Sequence, residues 1–237
     1  MEIKNDEYVD KCLGDHITEE QSAAIARADF SELPIGSYWK LNVIKLRIMA
    51  HDQFYGYNDV STHHVVVMAD EMIDYTCYNL MNYNIGGYHA TPVEGETNIA
   101  YSEKIINTIG YDHVLNHTHD ITDSAGKCGK LKRSRNVRSW LINSYNVDGV
   151  KYEDETDYKW KDADKIQFPA FKYNPNLKKS RFICDEDEDD EQRLWWLGTP
   201  CSKDEHSYCV VNYIGEIDDA PAATFFNGGI RPASLIY

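Results

Sequence analysis

The stretch HTHD, residues 117–120, holds the side chains whose types and spacing best suit metal chemistry. Divalent cations prefer imidazole and carboxylate ligands, so His117, His119 and Asp120 could converge on one ion. The binuclear hydrolase pattern H-x-H-x-D-H nevertheless fails at position 121, where the chain has Ile121. We therefore favour a polar loop in which a histidine caps backbone groups.

Two other polar groups fit structural roles better than metal binding. His63 and His64 are adjacent in THHVVV, so on a strand their side chains would point to opposite faces. We expect a buried, hydrogen-bonded histidine there. The seven consecutive acids from Asp185 to Glu191 lack the glycine-punctuated alternation of a calcium loop, and such a run is typical of a surface loop.

The six cysteines are scattered without a C-x-x-C pair, which argues against a zinc ribbon or a thioredoxin-type site. Free thiols are expected for synthesis in a reducing cytoplasm, with a bridge between Cys201 and Cys209 as the alternative. The sequence shows no nucleophile elbow, no phosphate loop and no spaced pair of catalytic carboxylates, although Cys201, His206 and Cys209 are close in sequence. We predict no enzymatic activity, no cofactor and no metal; a metal or thiol site around His117, His119 and Cys201 is the competing hypothesis.

The chain is acidic, with a formal net charge of -15 from 39 acidic and 24 basic side chains in 237 residues. We expect no nucleic-acid partner and instead neutral or basic partners. Since no run of 18 apolar residues and no signal-peptide pattern is visible, neither membrane insertion nor export by a signal of its own is expected. Seventeen tyrosines against seven phenylalanines favour a recognition surface.

Local patterns in the first part of the chain predict a helix followed by strands. Residues 17–33 contain Thr18 as a helix cap and only a weak apolar face, so this helix is expected to dock on something else. Alternation from Ser37 predicts an antiparallel hairpin that turns at Asn42, and then a buried strand within 62–70.

The rest of the chain mixes helices, loops and short strands. Apolar spacing predicts helices within 102–117 and 136–145. Between them, residues 127–135 form a basic cluster that fits a solvated loop, or else a contact for an acidic neighbouring subunit. Short apolar segments after residue 193, separated by turn residues, indicate an antiparallel sheet.

The C-terminal end resembles that of C-type-lectin-like and formylglycine-generating-enzyme-like domains of phage and prophage proteins. The resemblance rests on WWLGTP, on CVVNYIGEI with a turn at Gly215, and on GGIRP. The blocks MAHDQFYGYNDVSTHHVVVMADEM, MNYNIGGYHATP and IQFPAFKYNP resemble a family from prophages of Gram-positive gut bacteria, which extends the likeness over residues 34–237. The structural signature residues are Trp195, Trp196, Leu197, Gly229, Arg231 and Pro232.

This resemblance implies an α+β fold, a C-type-lectin-like domain with antiparallel sheets, a few helices and long loops. The domain would cover residues 34–237, preceded by an N-terminal helical arm over 1–33. One ring of the tryptophan pair would fill the core while the other could lie at the surface. Arg231 would donate forked hydrogen bonds to loop carbonyls, Pro232 would sit at a strand edge, and residues 37–48 would lie beside 230–237.

The chain departs from the better-known members of this fold in two ways. It has no Glu-Pro-Asn or Trp-Asn-Asp motif, so calcium-dependent sugar binding is not implied. Cys201 and Cys209 are eight residues apart, which does not match the copper-binding cysteine pair of the oxidases. The likeness therefore implies a fold without an oxidase activity.

These observations predict a phage virion protein of tail-fibre, tail-tip or head-fibre type, made in the bacterial cytoplasm and displayed on the particle. Residues 1–33 would dock on other virion subunits, while the lectin-like domain would attach to a host-surface glycan or protein. We expect a homo-oligomer, with a trimer as one form. The alternative is a decoration, collar or baseplate subunit without receptor binding.

Recognition is expected in loops 203–208, 213–219 and 223–228, which connect fixed strands. For Phe225 a core position is the better expectation. The candidate ligand-binding residues are Tyr208, Tyr213, Glu216, Asp218, Phe225 and Asn227.

Overall fold

The computed structural model describes residues 8–180, 193–219, 222–225 and 228–237, and these have mixed α and β structure. The strands of these segments form sheets of six, five and two strands, which confirms the α+β class. The strands are β1 (Cys12–Gly14), β2 (Tyr38–Leu41), β3 (Ile44–His51), β4 (Val65–Ala69), β5 (Asp74–Thr76), β6 (His117–Thr122), β7 (Leu131–Val137), β8 (Ser139–Trp140), β9 (Trp195–Pro200), β10 (Tyr208–Val211), β11 (Ile217–Asp219), β12 (Gly228–Ile230) and β13 (Ala233–Ile236). The helices are α1 (Glu19–Ala26), α2 (Pro92–Glu96), α3 (Ser102–Ile109), α4 (Ser144–Asp148) and α5 (Pro169–Tyr173), with a π-helical turn at Thr97–Tyr101 and 3-10 turns at Tyr88–Ala90, Tyr111–His113, Asp162–Lys165 and Pro175–Lys178.

The first sheet has the strand order β1-β2-β3-β4-β13-β8 and is antiparallel except for the β1–β2 pair. Asn42 adopts φ 54°, which asparagine tolerates, and closes the predicted β2–β3 hairpin. The predicted pairing of residues 37–48 with the C-terminal strand is wrong, since β13 pairs with β4 and β8. The reason is that β2 and β3 each have both edges occupied by other strands.

The second sheet has the order β11-β10-β9-β12-β5, in which only the β9–β12 pair is parallel. The predicted hairpin is confirmed as β10 and β11, with Gly215 at φ 88° in its turn. Gly229 lies against Met72, and a Cβ there would be 1.7 Å from the Met72 Sδ, so any larger residue would require the buried Met72 side chain to move.

The central strands of both large sheets are buried on two faces by apolar side chains. In β4, Val65 and Val67 belong to one buried cluster, the first core, whereas Val66 and Met68 belong to another, the second core. A strand buried on both faces is expected to be a continuous apolar run, as VVVMA is. The predicted buried strand is therefore confirmed.

The N-terminal segment packs on the body of the protein as far as the structure describes it. Thr18 accepts a hydrogen bond from Gln21 N at 3.2 Å, so the predicted cap is confirmed. Ile25 and Leu33 are fully buried in the first core, and β1 extends the first sheet. No separate arm is therefore seen over residues 8–33, because Ile25 of α1 and Leu33 pack in the first core.

Two predictions for the middle of the chain need correction. The helix predicted within 136–145 is replaced by the end of β7, by β8 and by the start of α4, whose cap is Asn143. The basic cluster contributes to β7 and is not simply a loop. The other predicted helix is confirmed as α3. None of the helices in the described part of the chain has the length and apolar character needed to span a membrane.

Candidate functional site

The adjacent tryptophans of β9 lie on opposite faces of the second sheet. Trp195 packs in the second core and donates from Nε1 to Lys178 O at 2.8 Å, whereas Trp196 packs in the first core and donates to Thr76 O at 3.0 Å. Both rings are fully buried, so the expectation of one surface ring is wrong. Successive side chains of a strand point to opposite faces, and both faces of this sheet are covered, so each ring is buried in a different core. Leu197 lies on the same face as Trp195 and packs in the second core.

Arg231 lies, with Pro232, at the crossover between the second and the first sheet. Its Nε donates to Ala69 O at 2.7 Å and its Nη1 donates to Leu177 O at 2.6 Å, so the predicted fork is present, but its acceptors lie in β4 and in the 3-10 turn Pro175–Lys178 and not in loops. Its guanidinium is 5.2 Å from the centroid of the Trp195 ring. Burial lowers the pKa of Arg231 to about 10, so the side chain remains charged at neutral pH. The GGIRP signature therefore has a structural role, joining the two sheets.

Three surface segments enclose a groove of about 360 Å³, named here the loop groove. Its walls are residues 84–86, 124–126 and 202–205. This volume falls in the range of small-ligand sites, roughly 300–1,000 Å³. The structure thus brings part of the predicted recognition loop 203–208 together with two segments that were not predicted to take part in recognition.

Asn84 joins two walls of the loop groove. Its Nδ2 lies 3.0 Å from Cys201 O, 3.0 Å from Asp204 O and 2.9 Å from Ser207 O. Its backbone N donates to Glu205 O at 2.8 Å. Because Asn84 is buried, these contacts fix the loop between β9 and β10 from beneath.

Asp204 organises the same loop from within. Its Oδ1 accepts from His206 N at 2.6 Å and from Ser207 N at 2.7 Å, and its Oδ2 accepts from Ser207 Oγ at 2.9 Å. Burial opposes the charge, but these hydrogen bonds from His206 and Ser207 lower the pKa of Asp204. The side chains of Lys203 and Glu205 are exposed at the groove, and Lys203 Nζ donates to Asp154 Oδ2 at 3.1 Å.

Residues 80–85 form the rim beside the loop groove and present apolar side chains to water. Leu80, Met81 and Ile85 are 73%, 59% and 63% exposed, and Tyr83 is 38% exposed. Apolar side chains grouped on the surface in this way mark interaction sites. The block MNYNIGGYHATP overlaps this rim, but its spacing does not distinguish surface residues from core residues.

The structure separates the six predicted ligand-binding residues. Tyr213, Glu216 and Asp218 are exposed, and Glu216 lines a second groove of about 400 Å³ with Tyr152 and others. Phe225 is partly buried against the first core, in line with the expected core position. Asn227 lies outside the described residues, as does the acid run 185–191.

Tyr208 is a correction, since it is fully buried and offers no surface to a ligand. Its ring stacks on Tyr78 with centroids 3.6 Å apart, and its hydroxyl donates to Gly87 O at 3.1 Å. The cause is again a sheet covered on both faces, which buries β10 throughout.

The HTHD stretch forms strand β6 and is not a loop, because it pairs with β7. Its two histidines are buried, together with Tyr57, Asp120 and Asp164; we call these five residues the histidine–aspartate cluster. His119 Nε2 lies 3.6 Å from Asp164 Oδ1. An adjacent cavity of about 10 Å³ has room for about one water molecule.

Burial favours the neutral forms of His117, His119 and Asp164 within this cluster. Burial raises the pKa of Asp164 to about 8 and lowers that of His119 well below its ordinary value. Burial also lowers the pKa of His117 to about 4. Perturbed groups of this kind often mark active sites, but a space for one water cannot admit a substrate.

The other residues considered for metal or thiol chemistry have structural partners. His64 is buried; its Nδ1 is 2.9 Å from Thr62 O, and its Nε2 accepts from Phe54 N at 3.3 Å, which confirms the expected buried histidine. Cys201 contacts Cys209, with the sulfurs 3.5 Å apart. In the described segments no group of three or more His, Cys, Asp or Glu side chains is arranged so that it could hold one metal ion.

A family model described as a domain of unknown function, DUF6273, matches residues 115–236. The matched segment begins just before β6 and ends with β13, so it includes the tryptophan pair, the Arg231 crossover and the 202–205 wall of the loop groove. No match was found among curated proteins or among solved structures.

Proposed function

We propose that this chain, which belongs to the DUF6273 family, is a phage virion protein whose lectin-like domain attaches to a host-surface glycan or protein through the loop groove. The observation that carries the proposal is the groove itself, a pocket of about 360 Å³ built from loops. Its loops are fixed by Asn84 and Asp204, so little ordering would be needed on binding.

The composition of the loop groove suits a sugar or a peptide. Ile85 and Ala125 provide apolar surface, while Lys203 and Glu205 provide charged hydrogen-bonding groups at the same groove. Tyr83 stands on the neighbouring rim with part of its ring exposed. Carbohydrate rings combine an apolar face with hydroxyl groups, so they need both kinds of contact.

We also propose that the domain has a C-type-lectin-like fold. The hairpin after WWLGTP and the Gly229–Arg231–Pro232 crossover support a C-type-lectin-like domain. In the virion the chain would form a homo-oligomer, a trimer being one form. Other virion subunits would contact its N-terminal region.

Attachment is tested by competition. The full chain at saturating concentration should inhibit adsorption of the phage that carries it, whereas Ile85→Asp and Glu205→Lys should compete at least 10-fold less well. Val43→Asp is the matched control, because Val43 is 70% exposed in the turn of the β2–β3 hairpin. Equal competition by all three variants would exclude the loop groove as the binding site.

Location is tested separately by immunogold labelling of intact particles with antibodies to the full chain. Gold at a tail tip or fibre supports attachment. An unlabelled particle would contradict the virion assignment.

A structural role without receptor binding is the second candidate. The apolar rim of Leu80, Met81 and Ile85 favours it, since such side chains also suit a contact between subunits. Particles lacking the protein would then lose stability and adsorb normally, the reverse of what attachment predicts.

A further inference from the structure

Two thiols meet at the base of the 202–208 loop. Cys201 and Cys209 are fully buried, and their sulfurs are 3.5 Å apart. The backbone fixes this approach, because Tyr208 pairs with Pro200 and Cys201 N donates to Ser207 O at 3.0 Å. A disulfide has an S–S distance of about 2.05 Å, so the sulfurs need to approach by roughly 1.5 Å.

We propose that Cys201 and Cys209 are a disulfide-forming modification site, which closes when the folded protein meets a small-molecule disulfide as oxidant. The thiolate of one cysteine attacks the oxidant, forms a mixed disulfide and releases one small thiol. The second cysteine then attacks the mixed disulfide, forms the Cys201–Cys209 bond and releases the second small thiol. The protein loses two protons and two electrons, and the oxidant takes them up as it is reduced to two thiols.

Access to the pair is controlled by the loop above it. Burial raises the pKa of the Cys209 thiol, and neither sulfur is exposed. The reduced protein therefore reacts slowly with the oxidant while the loop covers the sulfurs. The intervening residues 202, 203, 205 and 206 are exposed, however, and opening of this short loop would uncover the sulfurs. Cys12 and Cys128 are exposed and should react sooner, which makes them an internal clock for the oxidant.

The bond would tie together both ends of the loop that carries Lys203, Asp204 and Glu205. In the reduced protein that loop depends on Asn84 and on the β9–β10 pairing. A protein made in a reducing cytoplasm would fold with the thiols free and be locked later in an oxidising medium. Disulfide formation depends on the position of the two sulfurs and is independent of whether the loop groove binds a ligand.

The test uses the reduced full chain and oxidised glutathione at neutral pH. Samples are taken over time, alkylated, digested and analysed by mass spectrometry for the peptide that links Cys201 to Cys209. The linked peptide should accumulate after Cys12 and Cys128 have reacted. Asn84→Ala should accelerate its formation several-fold, because it loosens the loop, while Cys12→Ser should leave the rate unchanged.

Recovery of both Cys201 and Cys209 in alkylated form, from the wild type and from Asn84→Ala, would overturn the proposal. Cys201→Ser and Cys209→Ser each remove one partner and should give no linked peptide; if these variants fail to fold, the wild-type time course alone suffices. Tryptic cleavage after Lys203 gives a second measure, since the closed loop should be cut several-fold more slowly than the reduced loop. An unchanged cleavage rate in the linked protein would overturn the locking role.

Discussion

The loop groove and the histidine–aspartate cluster use buried polar groups in opposite ways. At the groove, Asn84 and Asp204 hold neighbouring backbone groups, and titratable side chains such as Glu205 remain in solvent. In the cluster, His119 and Asp164 are buried beside each other with strongly displaced pKa values. These strong pKa shifts therefore lie beside a cavity of about 10 Å³, whereas the groove of about 360 Å³ is lined by side chains that hold its loops or face solvent.

The largest expected effect is at Asn84. Asn84→Ala would leave the Cys201, Asp204 and Ser207 carbonyls without this buried donor, so we expect a loss of about 2–3 kcal/mol in the free energy of unfolding. Urea denaturation measures it. Asn82→Ala, with an exposed side chain nearby in the sequence, should stay within about 0.5 kcal/mol. If the two variants were equally stable, Asn84 would not anchor the groove.

The next effect is at Asp164 and has the opposite sign. The pKa of Asp164 in the folded state, about 8, lies above the ordinary value of 3.8. Between these two pH values the carboxyl is protonated in the folded state and ionised in the unfolded state. Stability from this group is therefore greatest at low pH and falls as pH rises towards 8. Asp164→Asn should therefore raise the free energy of unfolding by more at pH 8 than at pH 4. A pH-independent change would show that the carboxyl is ionised when folded.

His117 should act on the acid side. Its folded pKa of about 4 lies below the ordinary 6.5, so the unfolded state binds a proton first as the pH falls. The histidine destabilises the fold progressively from pH 6.5 down to 4. His117→Gln should flatten this part of the curve of melting temperature against pH; an unchanged acid slope would assign the effect to other groups.

The smallest expected effect on stability is at Glu205. Its side chain is exposed, so Glu205→Ala should change the free energy of unfolding by less than about 0.5 kcal/mol. The same variant should weaken attachment if the loop groove is the binding site. Thermal melts and adsorption competition on one preparation separate the two properties, and a large drop in melting temperature would assign Glu205 to the scaffold.

Elements governed by neighbouring residues could be predicted from the sequence. The Thr18 cap, the Asn42 turn and the Gly215 hairpin depend on short patterns, and all three are present. The Arg231 fork was accessible through the GGIRP resemblance. These features hold because the same few residues determine both the pattern and the contact.

The site was harder to predict because its contacts join distant parts of the chain. Asn84 is 117–123 positions from the carbonyls it binds, and a single asparagine in the sequence gives no indication of such distant partners. Tyr208 and the tryptophan pair were misplaced for another reason. When both faces of a sheet are buried, the alternation that normally separates core from surface is lost.

The position of β13 has a consequence for how the chain is made. Residues 233–236 fill the place between β4 and β8, and the rest of the first sheet is far earlier in the sequence. During synthesis, the edge of β4 that pairs with β13 would stay unpaired until residues 233–236 leave the ribosome. An unpaired apolar strand can pair with other chains, so we expect the nascent protein to need protection from aggregation. Stop codons just before residue 233 should therefore yield insoluble chains rather than slightly shortened, folded ones.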